Sequence, residues 1–379
     1  MNLFPAIAPV SEPFDGVRRI AVLRGGGLGD LLFGQPALAA LAGAYPEAEI
    51  TLLGSTIAGE LFAPESPRVL GAPHRVVRLP AVPGVAASPE AEPPAELGDF
   101  LAAQRDENYD LAVQIHGGGR YSNPFLNLLG ARHTVGTRTP DAEPLERTID
   151  YVYYQHEVLR ALEVAGLAGA APVVLEPRIE IDAASAAAAE RDADSPLVAI
   201  HPGATDPRRR WPAERFAEVA AALLDDGARI LLVGGAEDVP LAARIRTRIE
   251  EIAPGSGSRI EDASGRMTLR RLAAALAGAD LLVANDSGPR HLAQAVGTKT
   301  AAVFWFGNVV NAGPLGRGRH RVQLAWTTHC PVCGRDSTQV GWTAERCEHD
   351  VSFVGDVTSD AVLADARQLM ATTAPPRGR

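Results

Sequence analysis

The residues with the clearest chemical potential form one run, Asn285-Asp286-Ser287-Gly288-Pro289-Arg290-His291, which directly follows the apolar segment 281–284. Proline fits the first turn of a helix, so the run predicts a helix start whose backbone N–H groups bind an anion. Ser287 and His291 add hydrogen-bond donors, and Asp286 adds an acceptor for a ligand hydroxyl. The alternative is a well-capped helix without a ligand, because Asn, Asp and Ser all cap helices.

A second run, His201-Pro202-Gly203-Ala204, follows another apolar segment and leads to three adjacent arginines. These are Arg208, Arg209 and Arg210, in a chain whose overall charge is acidic. Guanidinium groups match phosphate oxygens bidentately, so this loop predicts an anion clamp. A solvated basic turn is the alternative interpretation.

A third loop, Val233-Gly234-Gly235-Ala236-Glu237-Asp238, ends a predicted strand in two glycines that are followed by carboxylates. We interpret Glu237 as an acceptor of hydrogen bonds from ligand hydroxyls. The alternative is an acidic residue in the first turn of a helix, which the helix dipole favours.

The fourth loop, Arg24-Gly25-Gly26-Gly27-Leu28-Gly29-Asp30, lies between a predicted strand and a predicted helix. Its glycines let the backbone turn tightly, but the sixth position from Gly25 is Asp30, so the dinucleotide pattern G-x-G-x-x-G is not matched. A carboxylate here suits a general base that takes a proton from an attacking hydroxyl. The alternative is that Asp30 only caps the next helix.

All four loops follow apolar segments that alternate with helical ones, which predicts an α/β fold with parallel sheets. The region 166–194 changes in composition, and we interpret it as the linker zone between two Rossmann-like domains. The predicted domains are 1–180 and 181–355, and a C-terminal helix and tail at 356–379 is expected to pack back on the N-terminal domain. Ligands of open α/β sheets bind beyond the carboxyl ends of the strands, where the four loops lie.

Local patterns also predict individual elements. The stretch from about Gln35 to Ala44 predicts a helix with Pro36 in its first turn, where proline is tolerated. The segment 80–96, rich in Pro, Ala and Glu, predicts a surface loop. Helical spacing over 360–370 predicts the last helix.

Composition excludes some classes of function. The chain has 379 residues and a formal net charge of −10, and Lys299 is its only lysine. Nucleic-acid binding rests on clustered basic charge, so no nucleic-acid partner is expected. The sequence shows no signal-peptide pattern and no stretch of about 18 apolar residues, so we expect a cytoplasmic protein. No strongly basic or amphipathic face indicates a membrane surface, although peripheral membrane association stays open.

Three cysteines cluster near the C-terminus, Cys330, Cys333 and Cys347, and His349 follows the last of them. A Cys3His set can hold a structural zinc ion tetrahedrally, and the C-x2-C spacing of the first pair is typical of a zinc knuckle. The Cys347–His349 spacing is shorter than in a standard knuckle. Three reduced thiols in a packed segment are therefore the alternative.

With these motifs the chain resembles glycosyltransferase family 9, the ADP-heptose:lipopolysaccharide heptosyltransferases and their relatives. The family's motifs occur in the expected order at 24–38, 201–204, 211–212, 234–237 and 285–291. The last of them, Asn-Asp-Ser-Gly-x-x-His, is the most specific. The resemblance implies the GT-B fold, in which two Rossmann-like domains place their parallel sheets across a cleft. The N-terminal domain would bind the acceptor, and the C-terminal domain would bind a nucleotide sugar.

The resemblance also implies roles for single residues. Asp30 would be the general base that deprotonates the acceptor hydroxyl in an inverting, single displacement. Arg209 stands where the family usually has a lysine on the donor phosphate, and Arg290 stands where an apolar residue is commoner. The implied donor-binding residues are His201, Gly203, Arg209, Glu237, Asp286, Ser287, Gly288 and His291, and the implied acceptor-binding residues are Arg24, Gly29 and Arg120.

The activity implied is transfer of a heptose from ADP-heptose to a hydroxyl of a glycan or glycolipid acceptor, such as the lipopolysaccharide core. No metal or other cofactor is expected to be required for that transfer. Two alternatives stay open, another GT-B enzyme such as a nucleotide-sugar epimerase or hydrolase, and a non-catalytic nucleotide-sugar-binding protein. Asp30 argues against the second, because binding alone does not need a base.

Overall fold

Two compact units make up the chain, Met1–Glu180 and Ile181–Arg379, and each has its own parallel sheet. Within the part of the chain that is described, no helix combines the length and the apolar character needed to cross a membrane. The structure is a computed structural model, and it describes residue 7 and residues 9–63, 68–181, 195–338 and 345–372.

The first unit is built on a six-stranded parallel sheet with a small antiparallel pair beside it. Its strands and helices in chain order are β1 (Arg19–Arg24), α1 (Leu28–Ala44), β2 (Glu49–Gly54), α2 (Thr56–Leu61), β3 (Arg68–Val69), β4 (Arg75–Arg78), α3 (Leu97–Asp106), β5 (Leu111–Gln114), α4 (Ser122–Asn127), β6 (His133–Arg138), β7 (Arg147–Asp150), α5 (Glu157–Leu167) and β8 (Ile179–Glu180). The strand order is β4-β2-β1-β5-β6-β7, which is the order of a Rossmann sheet. The order reverses between β1 and β5, so their carboxyl ends form the place where such a sheet binds ligands.

Helix α1 is longer than the sequence predicted. It begins at Leu28, so Pro36 lies in its interior and the expected start near Gln35 is wrong. Interior proline removes one backbone donor, which is costly in an exposed helix. Here every residue from Leu31 to Leu41 is buried, and burial of this apolar segment outweighs the lost hydrogen bond. The loop predicted at 80–96 contains no helix or regular strand, as expected.

The second unit repeats the architecture with a second six-stranded parallel sheet. Its strands and α-helices are β9 (Leu197–His201), α6 (Ala213–Asp225), β10 (Arg229–Leu232), α7 (Val239–Ile252), β11 (Ile260–Asp262), α8 (Leu269–Gly278), β12 (Leu281–Asn285), α9 (Gly288–Ala295), β13 (Lys299–Trp305), α10 (Phe306–Ala312), β14 (His320–Ala325) and α11 (Ser359–Ala371). The order is β11-β10-β9-β12-β13-β14, so the reversal falls between β9 and β12. The interpreted linker zone lies partly at 182–194, outside the described residues.

The last helix, α11, packs within the second unit. Its buried face consists of Val362, Ala366 and Leu369, which join the core formed around β12 and β13. Its neighbours there are α6, β12, β13 and β14. By this packing the helix covers apolar residues of the second sheet that would otherwise face water. The expectation that residues 356–379 pack back on the N-terminal domain stays a prediction.

Candidate active site

Asn285, the last residue of β12, ties together the two ends of the loop that follows β9. Its side-chain Nδ2 donates to the carbonyl oxygen of Pro202 at 2.7 Å. Its Oδ1 accepts from the backbone N–H of Trp211 at 3.0 Å, and the Trp211 indole in turn donates to Val357 at 2.9 Å. Asn285 is fully buried, and β9 and β12 are adjacent parallel strands. The amide side chain therefore fixes both ends of this loop at the point where the strand order reverses.

Asp286 is the centre of a buried charged cluster at this position. Its Oδ2 accepts from Arg209 Nη1 at 3.0 Å, and its Oδ1 lies 3.1 Å from His291 Nε2. The carboxylate is 1% exposed, whereas the Arg209 side chain is 23% exposed. Burial acts to raise the pKa of Asp286, but the His291 hydrogen bond and the charges of Arg209 and Arg290 hold it below its ordinary value. Asp286 is therefore an ionised anchor that orients Arg209 and His291.

The protonation of His291 follows from its other neighbour, Arg290. Arg290 Nη1 lies 2.9 Å from His291 Nδ1, and a guanidinium can only donate, so Nδ1 accepts. The proton of the neutral ring is then on Nε2, where it is donated to Asp286. Burial, with the charges of Arg290 and Arg209, outweighs the hydrogen bond to Asp286 and lowers the pKa of His291, which favours this neutral form. Arg290 is fully buried, with its guanidinium 5.3 Å from the centre of the Phe304 ring.

His201 links the start of α9 to the loop after β10. Its Nδ1 lies 3.0 Å from Ser287 Oγ, and its Nε2 lies 3.3 Å from Asp238 Oδ2. The same Asp238 oxygen accepts the backbone N–H of Gly235 at 2.9 Å. Burial acts to raise the pKa of Asp238, but the contacts with His201 and Gly235 bring it below its usual value. Three strand-end loops of the second unit are thus joined by polar side chains.

Gly203 is required by this packing, because a Cβ atom there would collide with the Asp238 carboxyl group. We predict that Gly203→Ala lowers the free energy of unfolding of the second unit by about 1–3 kcal/mol, the usual cost of overpacking. Gly316→Ala is the matched control, since nothing lies within 4 Å of its would-be Cβ, and its effect should stay within about 0.5 kcal/mol. Urea unfolding followed by tryptophan fluorescence measures both, because all tryptophans lie in the second unit. Equal stability of the two variants would contradict the packing argument.

In the first unit, Arg24 holds Asp30 at the carboxyl end of β1. Arg24 is buried, and its Nε and Nη2 bond the Asp30 carbonyl oxygen at 2.9 Å and the Asp30 Oδ1 at 3.2 Å. Nη1 donates to Ile115 at 2.6 Å, and Nη2 also pairs with Glu157 at 3.2 Å. Asp30 Oδ2 accepts the Gly27 N–H at 2.9 Å, so the carboxylate does cap α1. Its side chain is nevertheless 49% exposed, which leaves it accessible to a ligand.

Two further titratable groups surround Arg24. Burial acts to raise the pKa of Glu157, but the charges of Arg24 and Arg160 bring it below its ordinary value. The loop after β5 places His116 near Gly25, and burial, with the charge of Arg24, lowers the pKa of His116 to about 4. At neutral pH this end of the sheet therefore carries an ionised Glu157 and a neutral His116, beside the accessible side chain of Asp30.

The remaining predicted residues lie on strand-end segments of their own units. Glu237 is exposed in a short 3-10 turn after β10. Arg120 is exposed after β5 and pairs with Asp141 at 3.5 Å, and Gly29 is the second residue of α1. Ser287 occupies the N-cap position of α9, and Gly288 begins the helix. The sequence interpretation did not assign roles to four residues that the structure places in these clusters: Asn285, Asp238, His116 and Glu157.

The four cysteine and histidine candidates come together in the second unit. One potential ligand atom from each of Cys330, Cys333, Cys347 and His349 lies within 4.8 Å of all the others. Cys330 and Cys347 are buried, and Cys333 is exposed. Hydrogen bonds from the backbone amides of Cys333 and Val332 lower the pKa of the Cys330 thiol to about 7. Two chain segments separated by residues 334–346 thus form one group with the composition of a thiolate metal site.

Residues 100–338, more than half of the chain, match the profile of Glycosyltransferase family 9 (heptosyltransferase). The chain belongs to glycosyltransferase family 9. This family 9 chain is 30% identical over 112 residues to the lipooligosaccharide heptosyltransferase 2 of Haemophilus influenzae, a match that covers 29% of this chain and 32% of that protein. Across the curated relatives found, the matches cover 32% to 47% of the relative, so the chain spans less than half the length of each.

Solved structures share the fold of this family 9 chain. The Escherichia coli ADP-heptose lipopolysaccharide heptosyltransferase II has a TM-score of 0.69 at 19% identity, with 93% of this chain and 98% of that chain covered. The iron-containing dodecameric glycosyltransferase TibC of enterotoxigenic Escherichia coli has a TM-score of 0.54 at 15% identity, covering 94% and 77%. Similarity at these identities shows the fold alone. The predicted α/β fold of the GT-B class is confirmed.

Proposed function

We propose that this family 9 protein transfers a heptose from ADP-heptose to a hydroxyl of a glycan or glycolipid acceptor, such as the lipopolysaccharide core. The curated relatives are named as lipopolysaccharide or lipooligosaccharide heptosyltransferases, and the Escherichia coli neighbour is named for ADP-heptose. The observation that carries the proposal is the buried cluster of Asp286, Arg209 and His291 where the second sheet reverses its strand order. An arginine anchored at this position suits a diphosphate. Family membership does not favour the epimerase, hydrolase or non-catalytic alternatives.

The donor would bind to the second unit through its phosphates. Arg209 bonds Asp286 through Nη1, and since a guanidinium has five N–H donors, others can reach phosphate oxygens. The N-terminus of α9, with the Ser287 and Gly288 backbone amides, adds a dipole that favours the negative charge of the phosphates. We assign His201 and Gly203 to shaping this loop, and Glu237, exposed after β10, to the ribose hydroxyls.

The transfer step would be a single displacement with inversion at the anomeric carbon. Asp30 of the first unit takes the proton of the acceptor hydroxyl as its oxygen bonds to the anomeric carbon. The bond from that carbon to the diphosphate oxygen breaks, and the electron pair leaves with ADP. Arg209 and the α9 dipole stabilise the charge that develops on the leaving group. Arg24 acts as a positioning residue, because its guanidinium is committed to Asp30, Ile115 and Glu157.

On the acceptor side, we assign Gly29 and Arg120 to binding. Arg120 is exposed after β5, and Gly29 lies beside Asp30 at the start of α1. The step as written needs no metal ion at the reacting atoms. A zinc ion in the Cys3His group would be structural, since four protein ligands leave no open coordination position. We also propose a cytoplasmic location, in keeping with three free cysteines that form no disulfide.

The proposal is tested by incubating the purified full-length protein with ADP-heptose and a truncated lipopolysaccharide acceptor. Mass spectrometry should show the acceptor gaining one heptose, and NMR of the product should show inverted anomeric configuration. ADP release should require the acceptor. UDP-glucose serves as the control donor and should give no product above background. If ADP is released at the same rate without acceptor, the proposed transfer is contradicted and the protein hydrolyses the donor instead.

A further inference from the structure

The Cys3His group combines a tight turn with a second chain segment that begins at residue 345. In the turn, the N–H of Gly334 donates to the Cys330 carbonyl at 2.9 Å, and the N–H of Cys330 donates to Arg335 at 2.8 Å. Gly334 has φ +71°, a conformation that a glycine adopts without strain. This turn brings Cys333 beside Cys330. The second segment, 345–349, supplies the other two side chains.

The geometry fits a tetrahedral metal ion. A metal–sulfur distance of about 2.3 Å places tetrahedral sulfur ligands about 3.8 Å apart, and the four ligand atoms here all lie within 4.8 Å of one another. A second observation points to a ligand: His349 Nδ1 is buried and has no hydrogen-bond partner among the described residues. A buried, unsatisfied ring nitrogen is costly, and a metal ion would give it a partner.

The ligand segment also contacts the loop that precedes Trp211. The Phe353 N–H donates to the carbonyl oxygen of Arg208 at 2.7 Å, and Arg346 lies 3.6 Å from Asp206. Asp206 in turn binds the Arg208 guanidinium at 2.6 Å. Residues 345–358 contain no helix or strand, so regular secondary structure does not hold this segment against the loop. A metal ion that joins Cys347 and His349 to the 330–334 turn would fix the end of this segment that carries Arg346.

We propose that a zinc ion bound by Cys330, Cys333, Cys347 and His349 fastens the segment 345–353 to the 330–334 turn and so holds it against the loop 206–210. The ion thereby keeps Arg209 where Asp286 can bind it. On binding, the thiols release their protons to solvent, and no electron is transferred. Zinc is chosen because a closed Cys3His set is typical of structural zinc. The consequence for donor binding rests on the proposed function, whereas the metal site and the fastening do not.

Metal content tests the site directly. The full-length protein, produced in medium containing zinc and iron and purified without chelators, should carry about one zinc per chain by mass spectrometry of the metals. Cys333→Ser and His349→Gln should lose most of it, and His329→Gln, an exposed neighbour outside the ligand group, should retain it. About one iron per chain, with visible thiolate absorption, would support the site and overturn the choice of zinc. If neither zinc nor iron is found at about one per chain, the proposal is overturned.

Hydrogen exchange tests the fastening without any substrate. After chelation of the wild-type protein, amides in 206–211 and 345–357 should exchange faster, while those of β12 should not change. Returning zinc should restore the original rates. Unchanged exchange in both loops on complete removal of the metal would overturn the fastening. ADP affinity is the functional readout. Coupling between two binding sites commonly changes affinity about 5- to 150-fold, so removal of the metal should weaken ADP binding by roughly that factor. If the metal-loaded protein binds no ADP, the proposed function is contradicted. The hydrogen-exchange result still tests whether the metal holds the two segments in place.

Discussion

Asp30→Asn is expected to lower kcat for sugar transfer by roughly 10²- to 10⁴-fold, the range usually attributed to a general base, with nucleotide affinity unchanged. An amide cannot accept the proton of the attacking hydroxyl. Its oxygen can still accept the Gly27 N–H, which the Asp30 carboxylate now accepts at 2.9 Å, so the start of α1 should persist. Initial rates of heptose transfer, together with calorimetric titration of ADP, separate the chemical step from donor binding.

The chain offers a matched control for this variant. The tripeptide Leu28-Gly29-Asp30 at the start of α1 recurs as Leu97-Gly98-Asp99 at the start of α3. Both aspartates occupy the third helical position, but Asp99 is exposed, and it is not among the partners of Arg24. Asp99→Asn should therefore change only a helix-dipole interaction and leave kcat within about twofold. Near wild-type transfer by Asp30→Asn would show that the base lies elsewhere.

Much of the fold could be predicted because parallel strands buried on both faces form continuous apolar runs. The strands Arg19–Arg24, Leu197–His201 and Leu281–Asn285 stand out in this way, and each is followed by a loop with chemical character. The extent of α1 was harder to predict, since Pro36 is a stop signal in sequence and its tolerance depends on tertiary burial. The packing of α11 depends on which sheet has an uncovered apolar face, and a helix pattern alone does not reveal that.

The members of the site were easier to predict than their roles. Asp286 was expected to accept a ligand hydroxyl, but it is buried between Arg209 and His291 and serves as their anchor. Arg24 was expected to contact an acceptor, but its guanidinium is committed within the protein. Arg209 and Asp286 are more than 70 positions apart in sequence. No local sequence pattern encodes a pairing of that kind. The contacts of Arg24 and Asp286 with substrates stay predictions.

Arg209→Met is the second substitution for which we expect a large effect. It should lower kcat/KM for the nucleotide sugar by roughly 10²- to 10³-fold, the usual cost of losing one donor that stabilises transition-state charge. Arg209→Lys keeps the charge but not the planar fork, so its loss should be smaller. Arg215→Met, at a partly exposed position of α6 that pairs with nearby Glu218 at 3.3 Å, is the control and should stay within about twofold. Steady-state kinetics with varied donor measure all three variants.

The loss in Arg209→Met has a competing structural explanation, because Asp286 would keep its buried charge with one partner fewer. A double-mutant cycle with Asp286→Asn separates the two. If Arg209 serves only to neutralise Asp286, removing it from the Asp286→Asn protein should cost little, since no buried carboxylate remains to be paired. If Arg209 binds the diphosphate, ADP affinity should fall in both backgrounds. A fall confined to the background with Asp286 intact would therefore contradict the assignment of Arg209 to the donor.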